Sequence, residues 1–326
     1  MMPFPREAVS MSRLRAYLWL ILFVSLPVSL FAWGPIGHMT VGYVAYQNLT
    51  PAAKARVRDL LKLNPEYANW EKFVPAGTSP DDHDLMVFMI ATIWADDIKG
   101  DSKYSDDGPD PNTPDGASSS QNIGYTDLFR HRYWHFVDTP FPTDIPLPTP
   151  NAQTQIVAFR AVLASTQPHD LKSYDLVWLL HLIGDVHQPL HAATRVTGSK
   201  ADAGGNGVKL FGDASSNLHS YWDDLPGFDS SFCKDKIHCV NRAMVLGKSL
   251  KPASSKAGHN TNTATWIHES FEYARADVYK APIGSGEGPF SIVPYSLYDT
   301  RAFRLAEKRI ALAGARLAQV LNAEMK

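Results

Sequence analysis

Cysteine is scarce: Cys233 and Cys239 are the only two in 326 residues. That excludes a fold stapled by many disulfides, and with no second pair it argues against a structural zinc site built from cysteine. Surplus basic charge is missing as well, since 31 Lys and Arg stand against 33 Asp and Glu and the formal net charge is -2. A protein that coats nucleic acid through a basic surface needs many lysines and arginines to neutralise phosphates, so any phosphate-binding power here must be local. Strand signals are few. Val208 to Phe211 is one short run, and nothing alternates in the manner of a doubly wound sheet. A repeat of fixed period and a His-Glu-x-x-His metalloprotease helix are also absent. What is present is 44% hydrophobic residues, enough for a sizeable core and too many for a disordered chain.

One long apolar run occurs, at the start. Arg13 and Arg15 precede an uncharged stretch from Ala16 to Phe31, followed by Ala32. That layout is a secretory signal over residues 1–32 with cleavage before Trp33, leaving 33–326 as the mature chain. The competing reading is a membrane anchor, weakened by Pro27, Gly34, Pro35 and Gly37. Export, to the medium or a periplasm, leads to an oxidising compartment in which Cys233 and Cys239 would close a short loop; the alternative is two free thiols.

The mature chain reads as helices. Thr50 and Pro51 form a cap and first turn for a helix to about Leu63. Further helical patterns cover Asp84 to Lys99, Ala152 to Ser165, Tyr174 to Val186, Ser215 to Asp223, Val240 to Ser249, Thr263 to Tyr279 and Thr300 to Asn322. A Gly/Ser/Asp-rich loop (Gly100 to Gly124), a proline-rich segment (Thr139 to Pro150) and a glycine-rich turn (Thr197 to Gly207) connect them. None forces a domain boundary, so one all-α domain is expected.

Several of the 12 histidines pair with aspartates at helical spacing. His181 and Asp185 are four apart on an otherwise apolar helix, so they share one face. A carboxylate buried there is costly unless it is paired or binds metal. Pro189 ends that helix and lets His191 turn back toward it. His219 and Asp223 repeat the spacing on a short helix. Either pair alone is equally well an intrahelical hydrogen bond or a solvated face, but together they point to metal. Asp96 and His135 lie in aromatic settings, although by spacing Asp97 or His131 would serve as well.

Taken in order, Trp33-Gly-Pro-Ile-Gly-His38, Trp94-Ala-Asp96, His135-Phe-Val-Asp138, His181-Leu-Ile-Gly-Asp185, Gln188-Pro-Leu-His191, Gly204-Gly-Asn206 and Leu218-His219-Ser-Tyr-Trp-Asp223 resemble the S1/P1-type zinc nucleases. The resemblance spans nearly all of residues 33–326. It implies a mostly helical domain of the zinc phospholipase C/nuclease type with long surface loops, and a site of three Zn2+ ions. One ion would be held by Asp96, His135, His181 and Asp185. Asp185 would bridge to a second, bound by the α-amine and carbonyl of Trp33 with His38; only a cleaved chain has that amine free. The third would take His191, His219 and Asp223.

The implied chemistry is hydrolysis of single-stranded DNA and RNA to 5′-phosphate products, with action on 3′-nucleotides, by a monomer. The ions' charge would exceed that of the three ligand carboxylates, drawing phosphate to a chain that is slightly acidic overall. Metal-activated water would attack, and the third ion would stabilise the leaving oxygen. Lys99 occupies the family's position for a cation on the phosphoryl oxygens; by spacing alone it is equally a solvated helix-end lysine. Phe136 would stack a base, with Asp138 and Asn206 on its edge, which requires an unpaired strand. The sequence departs from the fungal pattern where Thr197 to Ala203 lengthens the loop before Gly204. Two rivals remain: a zinc phospholipase C, against which Asp223 in place of Glu and the Phe136/Asp138 pair argue, and a non-enzymatic exported zinc-binding protein.

Overall fold

Caps fix where the helices begin. In the computed structural model, which describes residues 33–107, 121–142, 147, 149–212, 215–226 and 235–325, α1 (Pro35–Gln47) and α2 (Pro51–Lys62) both open on proline. The Thr50 hydroxyl accepts the Ala53 N–H at 3.2 Å, satisfying a donor that the first turn leaves without a partner. A short α3 (Tyr67–Glu71) leads to α4 (Pro80–Ala91), capped by Ser79. The proposed leader, residues 1–32, and Cys233 lie outside the described residues.

The single helix expected over Asp84 to Lys99 is broken. After α4 comes α5 (Trp94–Asp97) and a 3-10 turn (Ile98–Gly100). At the break the Asp96 N–H bonds to the carbonyl of Ile93 instead of that of Thr92. The Thr92 carbonyl is thereby released for a side chain.

Beyond it, the 3-10 turn Arg132–His135 precedes β1 (Thr139–Phe141). Next come α6 (Ala152–Leu163), with an Asn151/Thr154 capping box, and α7 (His169–Asp185). Helix α7 starts earlier than its apolar pattern suggests and stops before Pro189, which instead opens a 3-10 turn, Pro189–His191. β2 (Ala193–Thr197) pairs in parallel with β1 and antiparallel with β3 (Lys200–Ala201). In this small three-stranded sheet, β1 and β3 fall in segments read as connections, and all of β2 but Thr197 in residues to which no element was assigned. The strand expected at Val208 to Phe211 is reduced to isolated bridges, Lys209 to Asn217 and Leu210 to Phe290. The fold class is all-α as expected, with that sheet as an appendage.

The remaining elements are α8 (Leu218–Asp223), α9 (Lys236–Ser249), α10 (Ser255–Gly258), α11 (Thr263–Tyr273) and α12 (Leu297–Glu324). The helix expected to run from Thr263 to Tyr279 changes at Ala274 into a π turn (Ala274–Val278). α7 is the axis: 14 of its 17 residues are buried, so it carries no amphipathic stripe and can only be an inner helix. Its Trp178 meets Trp94 and Trp134 edge-on, at ring separations of 5.4 and 4.9 Å. α1 packs on α12, α9, α4 and α7. No helix among the described residues is long and apolar enough to cross a membrane.

Candidate metal centre

One turn of α7 brings His181 and Asp185 to a common face, both fully buried. The His181 Nδ1–H is donated to the Thr92 carbonyl at 2.8 Å, the group freed by the break after α4. That bond fixes the tautomer and turns Nε2 inward, as a carbonyl behind the ring does for metal-binding histidines. Nε2 then lies 3.3 Å from Asp185 Oδ1, 3.5 Å from Asp96 Oδ1 and 3.1 Å from His135 Nδ1. Nitrogen facing nitrogen among carboxylate oxygens is the arrangement expected around a cation. His135, from its 3-10 turn, also places Nδ1 3.0 Å from Asp185 Oδ2.

His38 arrives from α1. Its ring stacks on that of His181, centroids 3.9 Å apart, and its Nε2 lies 3.2 Å from Asp185 Oδ1. Gly184 makes room: a Cβ there would sit 2.8 Å from His38 Nδ1. Trp33 is buried beside it, donating Nε1–H to the Gly184 carbonyl at 3.0 Å, while the Gly34 N–H reaches the Asp223 carbonyl at 2.7 Å. The start of the described chain therefore lies between the two His/Asp pairs.

The second pair faces His191. His191 donates Nδ1–H to the His135 carbonyl at 2.7 Å, and its buried Nε2 has no hydrogen-bond partner. His219 donates Nδ1–H to the Gly204 carbonyl at 2.7 Å, and its Nε2 lies 3.4 Å from Asp223 Oδ2. Gly204 has φ +59, and a Cβ would fall 2.6 Å from the Leu190 carbonyl, so this carbonyl can be aimed at His219 only from a glycine.

Three groups of donors result, each within 4.8 Å: His38, Asp96 and His181; His135, His181 and Asp185; His191, His219 and Asp223. Burial lowers the pKa of His135 to about 3 and that of His191 to about 4, so both are neutral ligands near pH 7. Burial opposes ionisation of Asp185, but the surrounding imidazoles of His181, His135 and His38 hold it well below the usual carboxylate range. For Asp223 burial wins and raises the carboxyl, with Gln188 opposing it. Buried imidazole nitrogens without hydrogens to share, beside carboxylates, fit zinc by donor type.

The expected substrate residues are less uniform. Lys99 Nζ bonds Asp96 Oδ1 at 2.7 Å. Phe136 is half-buried on extended backbone. Asp138 adopts φ +52, and its Oδ1 lies 3.3 Å from where a Gly204 Cβ would be, beside His219. Asn206 is half-buried and donates its amide to the Ala203 carbonyl at 2.8 Å, so that donor serves its own turn.

The alternatives left open by spacing part here. His131 is gripped by Asp107 and Asp127, each at 2.5 Å, and stacks on Trp134 at 3.6 Å. Burial opposes its protonation, yet those two carboxylates raise its pKa, which suits a structural clamp and leaves neither ring nitrogen for a metal. Asp97 pairs with Lys236. Sequence reading did not single out Thr92, Gly184 or Gln188. Only the small residue between His181 and Asp185 and the glutamine next to His191 gave any signal.

The fold and site together define a helical protein with a buried cluster of histidines and aspartates that could hold metal. The chain belongs to the S1/P1 nuclease family, whose profile matches residues 33–326. It is thus a nuclease of a metal-dependent family acting on nucleic acid. It is similar to Endonuclease 3 of Arabidopsis thaliana, 25% identical over 301 residues that cover 89% of this chain and 88% of the relative. Endonuclease 5 of the same plant is 27% identical over 308 residues, 89% of each chain. Nuclease S1 of Aspergillus oryzae is 24% identical over 206 residues, 59% of this chain and 54% of that one.

Proposed function

We propose that this chain is an exported, monomeric nuclease that hydrolyses phosphodiester bonds of single-stranded DNA and RNA to 5′-phosphate products and also acts on 3′-nucleotides, using three zinc ions. One is held by Asp96, His135, His181 and Asp185; one by the Trp33 amine and carbonyl, His38 and the shared Asp185; one by His191, His219 and Asp223. The observation that carries the reading is the convergence of Asp185 with His38, His135 and His181, at 3.0 to 3.3 Å, beside a tryptophan that opens the family match. Bound zinc supplies Lewis acidity and makes water acidic enough to attack near pH 7.

The chain's own groups do the rest. Lys99, docked on Asp96, is placed to turn its ammonium toward a phosphoryl oxygen as negative charge builds there. Phe136 offers a ring face, and Asp138 beside Gly204 offers an acceptor for a base edge. Stacking of this kind needs an exposed base, which a duplex hides. Residues 1–32 act as the leader whose removal frees the Trp33 amine, and Cys233 pairs with Cys239 in the secreted or periplasmic product.

The deciding experiment combines intact mass, metal content and turnover of the secreted protein. A chain starting at Trp33, with three zincs and chelator-reversible release of acid-soluble nucleotides from single-stranded DNA or RNA, is expected. Phosphocholine release from lipid without nucleotide release would favour the phospholipase reading, and zinc without any phosphoester turnover would leave a metal carrier.

A further inference from the structure

The third donor group differs from the others in how its carboxylate is held. Asp96 is paired with the Lys99 ammonium, and Asp185 is shared among three imidazoles. Asp223, the acid of the third group, accepts a hydrogen bond from a neutral amide: Gln188 Nε2 donates to its Oδ1 at 2.6 Å. At the other end of that amide, Gln188 Oε1 accepts the Leu190 N–H at 2.5 Å. An amide can be flipped without changing its shape, but the Leu190 N–H can only donate, so the oxygen faces Leu190 and the nitrogen faces Asp223. Gln188 is fully buried and has no solvent-exposed alternative.

The geometry points to Gln188 as the positioning residue of the third metal site, one that occupies Asp223 Oδ1 and so leaves Oδ2 as the single carboxylate donor beside His219 Nε2. This rests on the three-zinc reading above. With Oδ1 committed, Oδ2 at 3.4 Å from His219 Nε2 and the unpartnered Nε2 of His191 remain as the inward-facing donors. Without the amide, the carboxylate is free to rotate about its terminal torsion, which is broad for aspartate, and the site loses its preorganised geometry. The Gln188 amide makes no described hydrogen bond to a side chain of the other two groups; its link to them is the main-chain N–H to the Asp185 carbonyl at 2.9 Å, which a change of side chain keeps, so the effect is selective. The same glutamine lies three residues before His191, and its bond to Leu190 also shapes the turn that presents that histidine.

The test uses the zinc-loaded mature protein and its Gln188→Met and Gln188→Asn variants, the first removing the amide and the second withdrawing it by one methylene. Zinc per chain is measured after dialysis against graded chelator, with thermal unfolding of the loaded proteins as the check on folding. The parent should release its third zinc at a chelator concentration about 10- to 100-fold higher than either variant does, while the other two zincs leave at the parental concentration in all three proteins. In an Asp223→Ala background, Gln188→Met should change nothing further in the metal count or its chelator midpoint. Cobalt-substituted protein should show an altered visible spectrum for one ion of three. Unchanged release, or loss of all three ions together, overturns the role of Gln188 alone. A parent that binds no zinc overturns the three-zinc reading and this inference with it.

Discussion

At the scale of single residues, the acid with the least support is Asp175, which no ligand group uses. It is buried on α7, where Oδ2 accepts the Asn122 amide at 2.6 Å; its Oδ1 and the Asn122 Oδ1 have no partner. Burial pushes its carboxyl up to about 8, so a protonated Asp175 is the form that can also donate to Asn122. The unfolded group titrates near about 3.9. Because the folded pKa is the higher one, its contribution is complete below the unfolded value and is lost as pH rises toward 8. Asp175→Asn keeps an acceptor for the Asn122 amide, offers an N–H to the Asn122 carbonyl oxygen and carries no charge. Thermal melts should therefore place this variant on the order of 10 °C above the parent at pH 8 and nearly level with it at pH 4. A variant less stable than the parent at pH 8 would show that Asp175 is ionised and paired in the fold.

At the scale of elements, the turn from Asp185 to His191 must be held from behind, and α12 does it. Arg309 donates to the His187 carbonyl at 3.1 Å, Ser270 Oγ at 2.7 Å and Glu269 at 2.9 Å; Arg316 bonds Glu269 at 2.7 and 2.8 Å and His187 Nε2 at 3.0 Å. Both arginines are essentially fully buried, so neither can fall back on water. Arg309→Met removes one charge and leaves Glu269 and the His187 carbonyl short of donors. Chemical denaturation should record a loss on the order of 3 kcal/mol; a change within experimental error would mean that α12 holds the turn by apolar packing alone. The π turn after α11 serves a similar end, carrying Tyr279 to Asp202 Oδ2 at 2.9 Å, with Arg195 4.6 Å from its ring centroid. Asp202 Oδ1 in turn accepts the Gly205 N–H at 3.1 Å. The loop that aims the Gly204 carbonyl at His219 is thus tied to the C-terminal half of the chain.

At the scale of the whole molecule, the ligand groups join α1, α5, the Arg132–His135 turn, α7, the Pro189–His191 turn and α8. A metal bound only by the folded arrangement stabilises it by mass action, and each site saturated about 1,000-fold above its Kd contributes about 4 kcal/mol. Chelation should accordingly lower the unfolding temperature as well as abolish cleavage, with both restored by added zinc. Activity lost with the melting curve unmoved would place the metal on the surface instead.

What the sequence determined is local. Thr50 with Pro51 and the long apolar periods set most helices to within a few residues, and the i,i+4 pairs on α7 and α8 were legible because helical geometry alone puts them on one face. Tertiary structure decided whatever depends on distant partners. α1 escaped notice because ten of its 13 residues are buried, leaving no polar face to mark a period. The β1 and β2 pairing joins residues far apart in the chain, so the prolines around β1 read as a loop and the five residues of β2 carried no strand signal of their own. Spacing could not rank Asp96 against Asp97 or His135 against His131. Lys236 takes one and two aspartates clamp the other, and such partners exist only once the chain has folded.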